Sequence, residues 1–348
     1  MSQGAAIALF SGGLDSILAC RVIMAQGIRV VALKFVTPFF DDHLLAREEE
    51  HRAEVRRKYG IDARLVDLSE GYVELVANPR HGYGKHFNPC IDCKIFMLRR
   101  ARALLAEHDA SFLISGEVLG QRPMSQRMDT LRLIERDSGC TGILLRPLCA
   151  RRLPETEPER TGLINRDDLF AMSGRGRKEQ IQLAGQFGIS EYPSPAGGCM
   201  LTDPNLADRI AGFYRERARL PGETPHANDI RLLLVGRQFM LPGGHWFVLG
   251  RNEKENERIV ALAREGDWLL SMVTRSGPTG LLRVSPPVVA QVSAQEALRE
   301  LAASLVVRYG RKVADRPVPA EVLAVSGQER FTFTAKPPPD DSFRDWQF

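Results

Sequence analysis

Ala5-Ala6-Ile7-Ala8-Leu9-Phe10-Ser11-Gly12-Gly13-Leu14-Asp15-Ser16 is an apolar run that breaks into a glycine pair and then resumes as an apolar helix. Residues 5–10 read as a buried strand, and residues 17–24 carry a helix pattern. The Gly12–Gly13 turn lets backbone N–H groups converge at a helix N-terminus, where the dipole favours an anion. A Walker-type P-loop ends in Gly-Lys-Ser/Thr, and no lysine stands here. Ser11 and Ser16 are candidate donors to phosphate oxygens, and Asp15 is a candidate ligand for the magnesium that accompanies a triphosphate. The bland alternative is a strand–turn–helix junction whose glycines serve geometry alone.

Outward from that turn, strand and helix signals alternate. Residues 30–35, 64–68, 112–115 and 144–148 read as strands, and residues 44–59 and 95–107 as helices. Such alternation predicts an α/β domain with a parallel sheet and a ligand at the strand C-terminal ends. From Arg151 to Pro204 prolines, arginines and glycines dominate. Beyond it, residues 230–235, 246–249 and 268–273 look like strands, and residues 180–187, 253–264 and 295–307 like helices. The expected organisation is therefore 1–204 as one domain and 205–348 as a smaller α+β domain. The Pro-rich piece at 336–340 reads as a tail.

The 348 residues carry a net charge of only +4, which permits nucleic acid without demanding it. No apolar run has the length of a membrane span. The first strand begins almost at the N-terminus, leaving no room for a signal peptide. A cytoplasmic protein is expected, and six cysteines in that setting read as free, metal-bound or catalytic.

Three of the six form a pattern. Asn88-Pro89-Cys90-Ile91-Asp92-Cys93 opens a helix, and Cys199 follows Ser194-Pro195-Ala196-Gly197-Gly198. A helix N-terminus stabilises thiolates, and two cysteines three apart chelate one metal or cluster. Glycines before Cys199 permit a tight ligand loop. Three thiolates hold an iron–sulfur cluster with one iron open to a non-protein ligand. Three other readings stand beside this one. Zinc would take the three cysteines with His81 or His86, a persulfide carrier with a resolving thiol needs no metal, and the cysteines serve structure in the last. Cys20 falls on an apolar helix and reads as core; Cys140 and Cys149 have no matching spacing. Asp92 reads either as positioning a proton or base, or as a surface acid at a helix N-terminus.

The Ser-Gly-Gly-Leu-Asp-Ser turn resembles the PP-loop of enzymes that split ATP into AMP and pyrophosphate. Followed by Asn-Pro-Cys-x-x-Cys and a distant third cysteine, it is similar to the tRNA thiouridine synthetases. Ser115-Gly116-Glu117-Val118-Leu119-Gly120-Gln121, then Met124-Ser125-Gln126 and Leu145-Arg146-Pro147-Leu148, resemble the catalytic domains of 4-thiouridine synthetases. The Asn-Pro-Cys element looks more like the 2-thiouridylases, and Cys-x-x-Cys…Cys like the cluster-dependent thiolases. The resemblance implies an adenine nucleotide α-hydrolase-like fold and ATP-dependent sulfuration of a tRNA uridine. ATP would lie on Ser11, Gly12, Gly13, Asp15, Ser16, Phe35, Gly116 and Gln121, and Asp15, Cys90, Cys93 and Cys199 would be catalytic. It also implies Mg2+, a [4Fe-4S] cluster on the three cysteines rather than zinc, and sulfide or a desulfurase persulfide as sulfur donor. A homodimer is compatible with it.

The 4-thiouridine enzymes carry an RNA-binding region before the PP-loop, and this chain is expected to find tRNA by other means. Asn228-Asp229-Ile230, Gly236-Arg237 and Leu249-Gly250-Arg251-Asn252-Glu253-x-x-Asn256 are similar to the small RNA-binding domain of NFACT-type ribosome-quality-control proteins. Arg146, Arg175, Arg177, Lys178, Arg237 and Arg251 are the candidate RNA contacts, against the alternative of a solvated Arg-rich surface; Arg151 and Arg160 are an even choice between the two. Trp246, Phe247 and Trp268 have the spacing of core residues rather than stacking platforms. Two other classes compete with sulfuration: another AMP-forming PP-loop ligase, and a non-catalytic RNA-binding quality-control factor.

Overall fold

In a computed structural model the chain divides into two compact units, Met1–Ala207 and Asp208–Phe348. The structure describes residues 4–194, 199–217, 225–284, 292–339 and 343–348. The Gly197–Gly198 turn expected before Cys199 lies outside them.

The first unit alternates strand and helix, with α3, α5 and α6 added to the elements read from the sequence: β1 (Ala5–Leu9), α1 (Leu14–Ala25), β2 (Arg29–Val36), α2 (Glu48–Tyr59), β3 (Asp62–Asp67), α3 (Ser69–Ala77), α4 (Cys90–Ala103), β4 (Phe112–Ser115), α5 (Met128–Ser138), β5 (Leu144–Leu145), α6 (Glu157–Arg160) and α7 (Lys178–Gln186). The five strands pair in parallel in the order β3-β2-β1-β4-β5. The strand order reverses between β1 and β4, and that is where an open α/β sheet places its ligand.

Local chemistry explains the element ends. α2 has Glu48, Glu49 and Glu50 in its first turn and Arg56, Arg57 and Lys58 in its last, matching the helix dipole. It stops at Gly60, whose φ of +70° closes the helix in the left-handed region.

Side chains alternate across the sheet and feed two cores. One face packs Ala6, Ala8, Val30, Ala32, Phe112 and Ile114 beneath α1, α2 and α7. The other packs Ile7, Val31, Leu33, Phe35 and Leu113 beneath α4 and α5. α4 runs back against the strands it covers, so its N-terminus and that of α1 meet the same rim of the sheet from opposite faces.

α8 (Pro204–Arg217) carries the division between the units. The second unit then holds α9 (Ala227–Leu233), β6 (Arg237–Leu241), β7 (His245–Leu249), α10 (Glu253–Ala261), β8 (Trp268–Met272), β9 (Gly280–Arg283), α11 (Val292–Tyr309), β10 (Ala320–Ser326) and β11 (Glu329–Ala335). Its six strands pair antiparallel in the order β11-β10-β8-β9-β7-β6. Trp246, Phe247 and Trp268 are buried there.

One sequence expectation fails in this unit. Residues 230–235, read as a strand, belong mostly to α9, because Asp229 caps the helix by accepting from the His226 N–H at 3.0 Å. Beyond the Pro-rich piece, Phe343 is buried in the core and Phe348 N–H donates to the Gln238 carbonyl at 3.2 Å.

Candidate active site

The turn after β1 is built as an anion cradle. Gly12 takes a φ of +81°, which only glycine adopts at little cost. Ser11 Oγ donates to Ser16 Oγ at 3.2 Å, and Ser16 Oγ donates to the Gly13 carbonyl at 2.8 Å. Ser16 N–H turns back to the Gly13 carbonyl at 3.0 Å, so the N–H groups of Leu14 and Asp15 are the ones the helix start leaves to a ligand. Gly116, just after β4, lies so near α1 that an added Cβ would sit 2.5 Å from the Asp15 carbonyl and 2.6 Å from Ser16 N.

Asp15 is the chemical centre of this turn. Its Oδ2 accepts from Gln121 Nε2 at 3.1 Å and lies 3.8 Å from Arg177, while its buried Oδ1 has no partner among the described residues. Burial pushes its carboxyl up, against the pull of Gln121, Arg177 and Arg122. A half-satisfied carboxylate at a helix N-terminus fits a divalent cation that arrives with a phosphate.

A cavity of about 1030 Å³ opens over the turn, lined by the Ser11–Gly13 backbone, Asp15, Gln121, Arg122, Arg175 and Arg177, among others. Its size and its mix of loop amides, cations and one orphaned carboxylate suit a nucleoside triphosphate.

Cys90 and Cys93 stand at the N-terminus of α4, with Cys93 N–H donating to the Pro89 carbonyl at 2.8 Å. Burial pushes the Cys93 thiol up to about 12, against a hydrogen bond from Tyr72 and the charge of Lys94. Burial also raises Cys90 and Cys199; Cys90 is raised further by Cys199 and lowered by Lys94 and Arg122. The three thiols therefore share one neighbourhood. Among the described residues no group of three or more His, Cys, Asp or Glu side chains is drawn together to hold a metal ion. The donor set itself, three soft thiols with Lys94 and Arg122 beside them, is of the kind that ligates an anionic iron–sulfur cluster.

The expected zinc histidines are placed otherwise. His81 Nε2 lies 3.1 Å from Asp137, and His86 is exposed on a left-handed backbone. Asp92 is buried and accepts from the His81 N–H at 2.9 Å, so it fixes a turn rather than facing solvent. Cys20, Cys140 and Cys149 are buried, the last with its Sγ 3.3 Å from the Glu117 carbonyl.

Several expected contacts lie elsewhere. Phe35 packs into the core on the α4 face, because strand alternation turns Lys34 and not Phe35 toward the cavity. Arg146 is 1% exposed and locked between Glu117 (Nε to Oε2, 3.0 Å) and Glu135, which removes it from any RNA surface. Arg175 and Arg177 line the nucleotide cavity, and Lys178 begins α7. Arg237 stacks over Tyr309 at 4.5 Å, and Arg251 is paired with Glu255.

Sequence reasoning missed Lys34, Lys94 and Arg122. Lys94 Nζ lies 3.3 Å from the buried Glu117 and next to the thiols. Arg122 lines the cavity and lowers Asp15, Cys90 and Cys199 alike. The only local signal was Arg122 following Gln121 in the Gly-Glu…Gln segment.

A five-stranded parallel sheet with a glycine turn after its central strand, opening on a phosphate-sized cradle, defines the PP-loop class of nucleotide-binding domain. Residues 1–152 match the family described as Thiamine biosynthesis protein (ThiI), and residues 236–347 match the NFACT protein RNA binding domain. The first unit is thus similar to that family over residues 1–152, and the second to the NFACT RNA binding domain over residues 236–347. A probable tRNA sulfurtransferase of Thermococcus kodakarensis is 26% identical over 39% of this chain and 35% of its own length. The chain spans about a third of the length of the curated relatives it matches. Among solved structures, a 4-thiouridine synthetase–RNA complex with bound ATP matches 61% of this chain and 51% of its own at 20% identity and a TM-score of 0.36. The U34-tRNA thiolase NcsA of Methanococcus maripaludis, with its [4Fe-4S] cluster, matches 66% and 80% at 15% identity and a TM-score of 0.33. No described helix is long and apolar enough to cross a membrane.

Proposed function

We propose that this protein thiolates a uridine of tRNA at the expense of ATP. The observation that carries the reading is Arg122: one guanidinium lines the PP-loop cavity and acts electrostatically on Cys90 and Cys199. A nucleotide site and a thiol site thereby share a rim, as activation followed by sulfur transfer requires.

The uracil carbonyl oxygen attacks the ATP α-phosphorus. A new O–P bond forms, the bond to the β-phosphate oxygen breaks, and pyrophosphate leaves as the ring N–H loses its proton to solvent. Sulfur at the oxidation level of sulfide then attacks the activated carbon, and AMP departs with the C–O electron pair. Both steps are redox-neutral. The amides after Gly12, with Arg175, Arg177 and Arg122, stabilise charge on the phosphates. Asp15 would hold the magnesium that neutralises the leaving pyrophosphate. Cys90, Cys93 and Cys199 would hold a [4Fe-4S] cluster, whose open iron supplies a binding place for sulfide. That sulfide comes free, or from a desulfurase persulfide whose outer sulfur a second thiol releases as sulfide while the two thiol sulfurs join as a disulfide. The base must leave its stack to reach the rim, and the NFACT-type domain supplies RNA affinity on the same chain. Six free cysteines suit a reducing, cytoplasmic setting.

Mass spectrometry of nucleosides from bulk tRNA, with and without the gene, tests the reading. Loss of one thiouridine, restored by the wild-type gene and not by Cys199→Ser, is the expected result. Normal levels of every thionucleoside in the absence of a redundant enzyme overturn it and favour a PP-loop ligase or a binding factor.

A further inference from the structure

Lys34 stands within β2, whose other residues after the exposed Arg29 are apolar, and is only 5% exposed. Its ammonium donates to the Ser11 carbonyl at 2.9 Å and pairs with Asp41 at 2.7 Å. A Cβ added at Gly12 would lie 3.7 Å from Nζ, so the charge sits directly against the PP-loop and lines the cavity. Asp41 lines the same cavity, is 38% exposed, and holds a left-handed backbone (φ +58°) that a non-glycine residue adopts only at some cost.

A buried ammonium is expensive unless paired, and a strand interior is a poor place to keep one for packing alone. We infer that Lys34 is a phosphate-binding residue of this site: it supplies from β2 the cation that the PP-loop sequence lacks, and Asp41 is its partner only until a polyphosphate arrives. Lysine reaches a phosphate as a compact point charge with three donors. The Ser11 carbonyl takes one and orients the head, Asp41 takes a second, and a triphosphate oxygen replaces Asp41. Asp41 thereby competes with the nucleotide for the Lys34 ammonium. This inference rests on the reading of the cavity as an ATP site.

The full-length protein is titrated with magnesium and a non-hydrolysable ATP analogue by calorimetry, comparing wild type, Lys34→Met, Lys34→Arg and Asp41→Asn. Lys34→Met is expected to weaken binding at least about tenfold, about 1.4 kcal/mol, with Lys34→Arg recovering part of the loss. Asp41→Asn is expected to tighten it several-fold. Opposite signs for Lys34→Met and Asp41→Asn are the signature of competition. If the pair merely staples the turn, both weaken binding together, and the inference falls. Unchanged affinity in Lys34→Met also overturns it. Should Lys34→Met fail to fold, Lys34→Arg and Asp41→Asn decide by the same signs. A wild-type protein that binds no nucleotide sinks the ATP reading itself, which separates the two failures.

Discussion

Gln121 Nε2 donates to Asp15 Oδ2 at 3.1 Å, joining the loop after β4 to the first turn of α1 across 106 positions of chain. The bond occupies one carboxylate oxygen and leaves the other, Oδ1, buried and unpartnered. Asp15 is thus held in place by a neutral donor that does not discharge it.

Asp15→Asn is expected to separate stability from activity. Burial raises this carboxyl, so the charged form is costlier folded than unfolded, and the penalty grows as pH climbs through the ordinary carboxylate range and the raised value above it. The variant should melt at or above the wild-type temperature near pH 7 while pyrophosphate release falls at least about a hundredfold. Thermal scans beside a pyrophosphate assay check both.

Gly116→Ala should damage the nucleotide site through the backbone. Its Cβ would meet main-chain atoms of Asp15 and Ser16, which cannot rotate away. The expected cost is about 1–3 kcal/mol in urea unfolding, with weaker ATP binding in the molecules that fold.

Glu117 predicts an acid limit. Burial alone would push its carboxyl up; Lys94, Arg146 and Ser115 outweigh burial and hold it at about 2, below an ordinary 4.5. A depressed carboxyl stabilises the fold above the ordinary value, and that contribution drains away as pH falls from about 4.5 toward 2. Glu117→Gln should flatten this part of the pH–stability curve. Arg146→Met, which takes the shared guanidinium from Glu135 and leaves Glu117 only Lys94 and Ser115, should cost about 3 kcal/mol by urea unfolding at pH 7.

The thiols give a chemical test. Cys93, pushed to about 12 by burial, should be alkylated by iodoacetamide far more slowly at pH 8 than an ordinary cysteine. Cys90→Ser and Cys199→Ser should abolish thiouridine formation while tRNA-dependent pyrophosphate release persists. Loss of both reactions would show that the thiols act before sulfur transfer.

Arg177→Ala should raise KM for ATP about tenfold without weakening tRNA binding in a filter assay, since Arg177 lines the cavity and faces Asp15. Arg251→Ala should leave both near wild type, because that side chain is already committed to Glu255.

The sheet and the PP-loop were legible because their signals are local: a buried strand, a glycine pair, a helix, repeated at the right intervals. Gly116 and Gln121 were legible through family resemblance. Lys34 was hidden inside a β2 pattern where one lysine among apolar residues carries no periodic signal, and strand alternation decided that it, rather than Phe35, meets the cavity. Arg146 misled because an arginine in an Arg-rich stretch reads as surface, and only its two distant carboxylates, Glu117 and Glu135, reveal a core ion pair. Residues 230–235 misled because a short apolar run fits strand or helix equally; the cap at Asp229 settled it.

The helix that presents the PP-loop and the helix that presents Cys90 and Cys93 rest on separate apolar layers, one on each face of the sheet. Damage to one layer need not spread to the other. A descendant of this chain that loosened the α4 layer would lose the placement of Cys90 and Cys93 and keep the PP-loop, and one that eroded the α1 layer would keep the two thiols without the loop. The fold allows its two sites to be inherited, or lost, one at a time.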